Sequence, residues 1–227
     1  MGVVVSSSPV TISCRAVLFD MDGILISSIG SVERSWTRWC HMRGVDPDYA
    51  ISVIHGRRAI DSLRAIRPDL DAEKELEILE DFEVEDVDDI VILPGVRELL
   101  NALPHDRWTV VTSATERLAR VRLETAGLPV PDVFVHGDTV TEGKPHPAPF
   151  LAGANLLGVP PNACVVFEDS TSGVAAGKAA GCTVVATLFT HPTDDLHAAD
   201  YIVPDLTGIK PQAHASHIEL HIVPNAR

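Results

Sequence analysis

Apolar and polar positions follow two rhythms along this chain. Residues 15–19 (RAVLF) form a short apolar run closed by the acids and glycine of DMDG, which predicts a buried strand ending at Asp20. Val32, Trp36, Trp39 and Cys40 then recur at helical spacing, predicting a helix over 31–43 with Gly44 as its C-cap. A second helical stretch covers 57–67 and stops before Pro68. Residues 69–89 interleave acids with Leu76, Ile78, Leu79, Phe82 and Val84 in a largely helical pattern. After Pro94-Gly95 the rhythm changes. Helical stretches at 96–103, 116–126, 147–157 and 173–180 alternate with apolar runs at 108–112, 133–136, 163–167 and 183–187. Such alternation means βαβ units and a parallel sheet. The expected fold class is therefore α/β: a Rossmann-like parallel-sheet core built from residues 1–27 and 94–227, interrupted by an all-helical subdomain at 28–93. Residues 1–12 read as a flexible tail, and HIELHIV at 217–223 alternates in polarity as an added strand would.

Composition narrows the class. The 227 residues are 45% hydrophobic, which excludes disordered and fibrous chains. No stretch approaches the ~18 apolar residues of a membrane span, and MGVVVSSSP lacks the basic lead of a secretory signal. Gly2 with Ser6 meets the loose N-myristoylation pattern, though the plainer reading is a frayed end. Cys14, Cys40, Cys164 and Cys182 have no C-x-x-C or zinc spacing and read as free thiols, buried or partly so, of a cytoplasmic protein.

Charge changes the picture further. Acids number 32 against 18 Lys plus Arg, a formal net charge of −14, which argues against nucleic acid or an anionic membrane as partner. It also stands in tension with an anionic substrate. The tension eases once the charge is located. Residues 69–89 hold twelve acids and one base, a segment charge of −11 that leaves −3 for the remainder. The expectation is a solvated helical face that aids solubility, not the charge of a binding crevice. If that face turned toward the pocket, highly anionic ligands such as bisphosphates would be disfavoured.

In an open parallel sheet, ligands bind beyond the carboxyl ends of the strands. Asp20 and Asp22 follow the first predicted strand, and Thr112, Ser113, Ala114 and Thr115 the second. The stretch after the third leads to Gly143, Lys144 and Pro145, and the next strand ends in Glu168 and Asp169. Taken singly, these are ordinary features: a turn, a helix cap, a solvated lysine, an acid before a helix N-terminus. Independent turns and caps have no reason to place carboxylates, a hydroxyl and an ammonium in order at four sheet edges. The set suits phosphoryl transfer, which needs a nucleophile, charge neutralisation, donors for the phosphoryl oxygens and a proton for the leaving alcohol. Hard carboxylate and carbonyl oxygens imply Mg²⁺.

The segments VLFDMDGIL (17–25), VVTSAT (110–115), GKPHPAPF (143–150) and VVFEDSTSGVAAGKAAG (165–181) together resemble a haloacid dehalogenase superfamily phosphatase with a helical cap inserted after the first motif. The resemblance covers roughly residues 14–205. It implies that Asp20 is the nucleophile, forming an aspartyl-phosphate, and that Asp22 is the general acid and then the base. It implies Mg²⁺ held by the Asp20 carboxylate, the Asp22 main-chain carbonyl and Asp169, with Glu168 at the metal or just behind it. Ser113, the Ala114 N–H and Lys144 would hold the phosphoryl oxygens. The dehalogenases themselves lack an acid at the place of Asp22, because their leaving group needs no proton. The chain departs from the family pattern at Ile24, often Thr, and at Ser27, often Asp.

Within the cap, SVERSWTRW (31–39) and IHGRRAIDSLRAIRPDL (54–70) resemble small sugar- and polyol-phosphate phosphatases. In that group a substrate-contacting loop falls near His55, Gly56, Arg57 and Arg58, whose donors suit a hydroxyl-rich ligand. The plainer reading makes Arg57 and Arg58 polar residues of a cap helix, paired with acids. The implied substrate is a small phosphorylated sugar or polyol, and the expected state a monomer or weak homodimer. The β-phosphoglucomutase-like enzymes share all four motifs, but usually carry His where this chain has Val32 and Arg where it has Ala59. A catalytically weak binding protein on the same fold is a further alternative, opposed by the intact charged set.

Overall fold

The computed structural model describes residues 4–5, 9–54 and 56–222; Gly2, Ser6 and His55, named above, lie outside these. The core is a six-stranded parallel sheet. Its members in chain order are β1 (Val4–Val5), β3 (Ala16–Phe19), β6 (Trp108–Val110), β7 (Cys164–Glu168), β8 (Thr183–Thr187) and β9 (Tyr201–Val203), the intervening β2 (Val10–Cys14), β4 (Ile26–Ser27) and β5 (Val91–Ile92) lying elsewhere. Their order across the sheet is β1-β9-β8-β7-β3-β6. Strands β3 and β7 lie centrally and are buried along their whole length, as the near-continuous apolar runs of covered parallel strands require. Phe19 and Phe167, partners in register, stack with ring centroids 5.2 Å apart.

Helices cover this sheet as the alternation predicts. They are α5 (Val96–Ala102), α6 (Glu116–Thr125), α7 (Ala148–Leu156) and α8 (Thr171–Ala179), after a group of four earlier ones: α1 (Ile29–Arg43), α2 (Pro47–Ile54), α3 (Ala59–Ile66) and α4 (Ala72–Glu85). Those four helices share a separate apolar core of Trp36, Trp39, Cys40, Ala50, Ile54, Leu63 and Leu79. The chain leaves the sheet through β4 and returns through β5, which pair antiparallel as Ile26 with Ile92 and Ser27 with Val91. Gly44 ends α1 in the left-handed region, at φ 66°, as its position predicts.

Three expectations need correction. Helix α2 is not announced by the pattern, because Ala50 and Ile54 give it only one buried turn. The strand expected at 133–136 shrinks to a single bridge between Val135 and Val111, at the edge beyond β6. Residues 10–12, read as tail, belong to β2, and residues 4–5 pair with β9. The alternating segment near the C-terminus is a strand, but not of the parallel sheet. β10 (Ile209–Ala213) and β11 (Ile218–Ile222) join β2 in a separate antiparallel sheet of order β10-β11-β2. Its apolar face (Ile12, Ile209, Ile218, Leu220 and Ile222) shares one core with Leu99 and Leu103, the face and end of α5. The four cysteines are free and buried. Among the described residues no helix is long and apolar enough to cross a membrane.

This second sheet is part of the core, not an appendage. Leu220→Ala is expected to cost about 2–5 kcal/mol and to leave a single cooperative transition in urea. An unchanged midpoint, or a separate early transition, would show that the C-terminal strands do not share the core.

Candidate active site

Four sequence-predicted groups meet at the carboxyl ends of β3 and β7. Asp20 directly follows β3, and its N–H donates to the Phe167 carbonyl at 3.0 Å, which ties the two strand ends together. Lys144, in the loop before α7, places its ammonium 2.6 Å from Asp20 Oδ1 and 2.7 Å from Glu168 Oε1. All three side chains are buried. Burial alone would lower the lysine, but the two carboxylates outweigh it and hold the ammonium above its ordinary range. Burial also pushes Asp20 up to about 7 against the pull of Lys144, with Glu168 adding to the rise. Asp169 is raised well above the usual carboxylate range by burial and by its neighbours Glu168 and Asp20.

The chain around Glu168 explains its place. Oε2 accepts from the N–H groups of Asp169 and Ser170 and from Ser170 Oγ, at 2.9, 3.0 and 3.0 Å. Gly173 lets α8 begin directly over this carboxylate, since a Cβ there would lie 1.7 Å from Oε1. Glu168 is thus fully engaged by donors and fixes Lys144. Asp169 accepts from the Thr190 hydroxyl, and its other close neighbour is Gly23. Gly23 has φ +87°, and a Cβ there would lie 1.8 Å from Asp169 Oδ2, so glycine is required on both counts.

Carboxylate oxygens of Asp20, Glu168 and Asp169 lie within 4.8 Å of one another, all buried. One ammonium balances only one of the three charges. An all-oxygen, buried and under-neutralised cluster fits a hard divalent cation such as Mg²⁺. With Glu168 committed to donors, Asp20 and Asp169 are the carboxylates suited to hold it.

Asp22 is two residues on, at the edge of the cavity. Its Oδ1 accepts from Ser28 Oγ at 2.6 Å and from Arg122 Nη1 at 3.1 Å. Ser113 and Ala114 border the same cavity, where Ser113 Oγ donates to the Gly56 carbonyl at 3.3 Å and the Ala114 N–H to Thr112 Oγ1 at 3.1 Å. The two arginines before α3 part company. Arg57 is exposed at the cavity, with no ion pair among the described residues. Arg58 is buried and all its donors are spent, on Asp61 and on the carbonyls of Gly137, Val140 and Thr141. Arg58 borders the cavity, but with its donors so engaged it ties α3 to the loop before Lys144, the plainer of its two expected roles.

Two functional candidates escape the sequence reading. Arg122 of α6 is buried beneath Asp22, and its Nη2 lies 3.4 Å from Glu83 of α4. Its Nε and Nη2 have no hydrogen-bond partner among the described residues. Glu83 is pushed up to about 7, chiefly by burial, with Arg122 opposing and Asp22 and Glu80 adding. A signal was available: Glu75, Leu79 and Glu83 recur every four residues, and Arg122 follows Leu118 by four, which sets charges on buried faces. The acidic run is thus not wholly a solvated face. Glu75 accepts from Trp39 Nε1 and Arg43 at 2.8 and 2.7 Å, while Glu80 and Glu83 line the cavity. That cavity has a volume of about 140 Å³, with Trp36, Ile54, Leu76 and Leu118 among its apolar walls.

Comparison with known proteins bears on this geometry. The family description haloacid dehalogenase-like hydrolase matches residues 14–181. Hexitol phosphatase A of Escherichia coli is 41% identical over 201 residues, covering 86% of this chain and 93% of that protein. Glycerol-1-phosphate phosphohydrolase 2 of Saccharomyces cerevisiae is 35% identical over 219 residues, covering 90% of this chain and 88% of its own. Among solved structures, a hydrolase from Pseudomonas syringae superposes with a TM-score of 0.77 at 24% identity, over 85% of this chain and 94% of the other, a likeness of fold.

The raised Glu83 has a measurable consequence. Between its ordinary value of 4.5 and about 7 the folded chain holds more protons there than the unfolded chain. The group therefore favours folding least above pH 7, and stability is lost as pH rises through that window. Glu83→Gln should gain on the wild type by on the order of 1–3 kcal/mol between pH 5 and pH 8 in urea titrations. A difference that stays flat or runs the other way would show Glu83 to be ionised at no cost.

Proposed function

The chain belongs to the haloacid dehalogenase-like hydrolases, and from that premise we propose a Mg²⁺-dependent phosphatase for small sugar or polyol monophosphates that works through a phosphoaspartate at Asp20. The observation that carries this reading is the buried ammonium of Lys144 between Asp20 and Glu168. A phosphatase needs a carboxylate aimed at phosphorus, with its negative charge offset, and a second acid within reach of the leaving oxygen.

The residues divide the work. Asp20 Oδ attacks phosphorus as the P–O bond to the substrate alcohol breaks, and Asp22 gives that alcohol oxygen its proton. Asp22, now a carboxylate, takes a proton from water as the water oxygen attacks the phosphoryl group on Asp20. The P–O bond to Asp20 breaks, and phosphate leaves. Lys144, Ser113 and the Ala114 N–H hold phosphoryl oxygens, the latter two by exchanging their present partners for substrate. Mg²⁺ held by Asp20, Asp169 and the Asp22 carbonyl would supply the positive charge that one lysine leaves lacking. Arg122 and Ser28 orient Asp22.

The cavity supports the substrate class. Glu80 and Glu83 line it and would repel a second phosphate, whereas neutral hydroxyls suit both these acids and the exposed Arg57. Names of the relatives point the same way, toward hexitol and glycerol phosphates. The mutase alternative is opposed by Val32 and Ala59, which both line the cavity and offer no acid, base or cation.

A panel of sugar, polyol and glycerol phosphates, assayed for released phosphate, tests the reading. Release should require Mg²⁺, vanish with chelator and return on its addition. Asp20→Asn should lower kcat at least ~10³-fold with circular dichroism unchanged; undiminished turnover would remove the proposed nucleophile. Arg57→Ala should raise KM several-fold with kcat nearly kept, while Arg58→Ala should chiefly lower stability. Conversion of a hexose 1-phosphate to the 6-phosphate without phosphate release would establish the mutase instead.

A further inference from the structure

A second cluster lies away from the cavity, on the solvent face of the β10-β11-β2 sheet. Residues alternate along β11, so Ile218, Leu220 and Ile222 enter the core while His217, Glu219 and His221 share the opposite face. The hairpin brings in a third histidine. The His214 N–H donates to the His217 carbonyl at 2.8 Å across the turn Ala215-Ser216, and the two rings stack with centroids 4.5 Å apart. Three imidazole Nε2 atoms then surround one carboxylate. His214 and His221 lie 3.7 and 3.6 Å from Glu219 Oε2, and His217 lies 3.6 Å from Oε1.

These separations exceed hydrogen-bond length. The histidines gather round the acid without bonding it, and His214 Nε2 is buried with no hydrogen-bond partner among the described residues. For His214, His217 and Glu219 the spacing is that of ligands about a centre, their ligand atoms all lying within 4.8 Å of one another. Bonds of ~2.1 Å to a tetrahedral ion put its ligand atoms ~3.4 Å apart. His221 is engaged at both ring nitrogens, by the Thr11 hydroxyl at 2.9 Å and by Gln212 Oε1 at 3.4 Å. Ring orientation agrees for His217, whose Nδ1 is 3.3 Å from Ser216 Oγ, which leaves its Nε2 facing the cluster. Metal-bound histidines are oriented in this way by a partner on the other ring nitrogen.

We propose that His214, His217 and Glu219 form a surface site for a divalent transition metal of the zinc class. Imidazole nitrogens with one carboxylate select Zn²⁺, Co²⁺, Ni²⁺ or Cu²⁺ over Mg²⁺, which prefers oxygen. The site is therefore chemically distinct from the carboxylate cluster at Asp20. It lies on β11 and the end of its hairpin, past the residues 14–181 that match the family, and rests on no reading of the catalytic residues. A bound ion would clasp the hairpin end to the strand that joins β10 to β2, and so stabilise the folded chain.

The test is calorimetric titration of the whole, chelator-stripped protein with Zn²⁺ in millimolar Mg²⁺, which competes for the acidic crevice. One Zn²⁺ per chain should bind at micromolar or lower concentration. His217→Ala and Glu219→Gln should each weaken it at least tenfold, with circular dichroism and Mg²⁺-supported turnover unchanged. Melting temperature should rise with Zn²⁺ in the wild type and not in a His214→Ala, His217→Ala double variant. No binding by the wild type, or equal binding and equal stabilisation in the folded variants, would overturn the proposal.

Discussion

The ammonium of Lys144, 2.6 Å from Asp20 and 2.7 Å from Glu168, is the interaction on which the rest of the site depends. Three carboxylates are buried together where β3 and β7 end, and one lysine cannot neutralise them. Charges so placed are tolerated only when paired and hydrogen-bonded. The fold meets that demand locally: Glu168 takes donors from the start of α8, Gly173 and Gly23 leave out the Cβ atoms that would collide, and Asp20 is held by the neighbouring strand. The charge still unbalanced is what the proposed divalent cation would offset.

The helical segment bears on this centre through charge more than through apolar packing. Its four helices have their own core, yet their links to the sheet domain are polar. Arg58 spans to three carbonyls before Lys144, Glu80 receives the Thr115 hydroxyl and an ion pair from Arg117, and Glu83 faces Arg122. Ordered, charged contacts of this kind suit a surface that must separate to admit a ligand, since their partners can be exchanged for water or substrate. They also set the electrostatic character of the cavity, which Glu80, Glu83, Arg57 and Arg122 all line.

Much of this was legible in the chain, for a physical reason. Asp20, Asp22, Ser113 and Asp169 follow strand ends, which local sequence spacing places reliably at one sheet edge, and Lys144 reaches them from the loop before α7. Arg122 and Glu83 were not legible as a pair. Each reads as one polar residue on an amphipathic helix, and only tertiary packing sets them 3.4 Å apart. Arg58's tie to the loop before Lys144 was not legible for the same cause, because three of its acceptors are backbone carbonyls more than 75 positions away. The segment 133–136 failed as a strand because it has a partner on one side only, where Val135 alone pairs. In the C-terminal strand the alternation was visible, but its choice of sheet was not, since pairing partners are set by β2 and the hairpin.

The central claim is that the Asp20 carboxylate, offset by Lys144, takes the phosphoryl group. The most direct measurement is mass spectrometry of the protein quenched during turnover of a polyol phosphate and reduced with borohydride, which converts an acyl phosphate to an alcohol. The account predicts reduction at Asp20 alone, dependent on both substrate and Mg²⁺. Modification at another residue, or none while phosphate is being released, would contradict it.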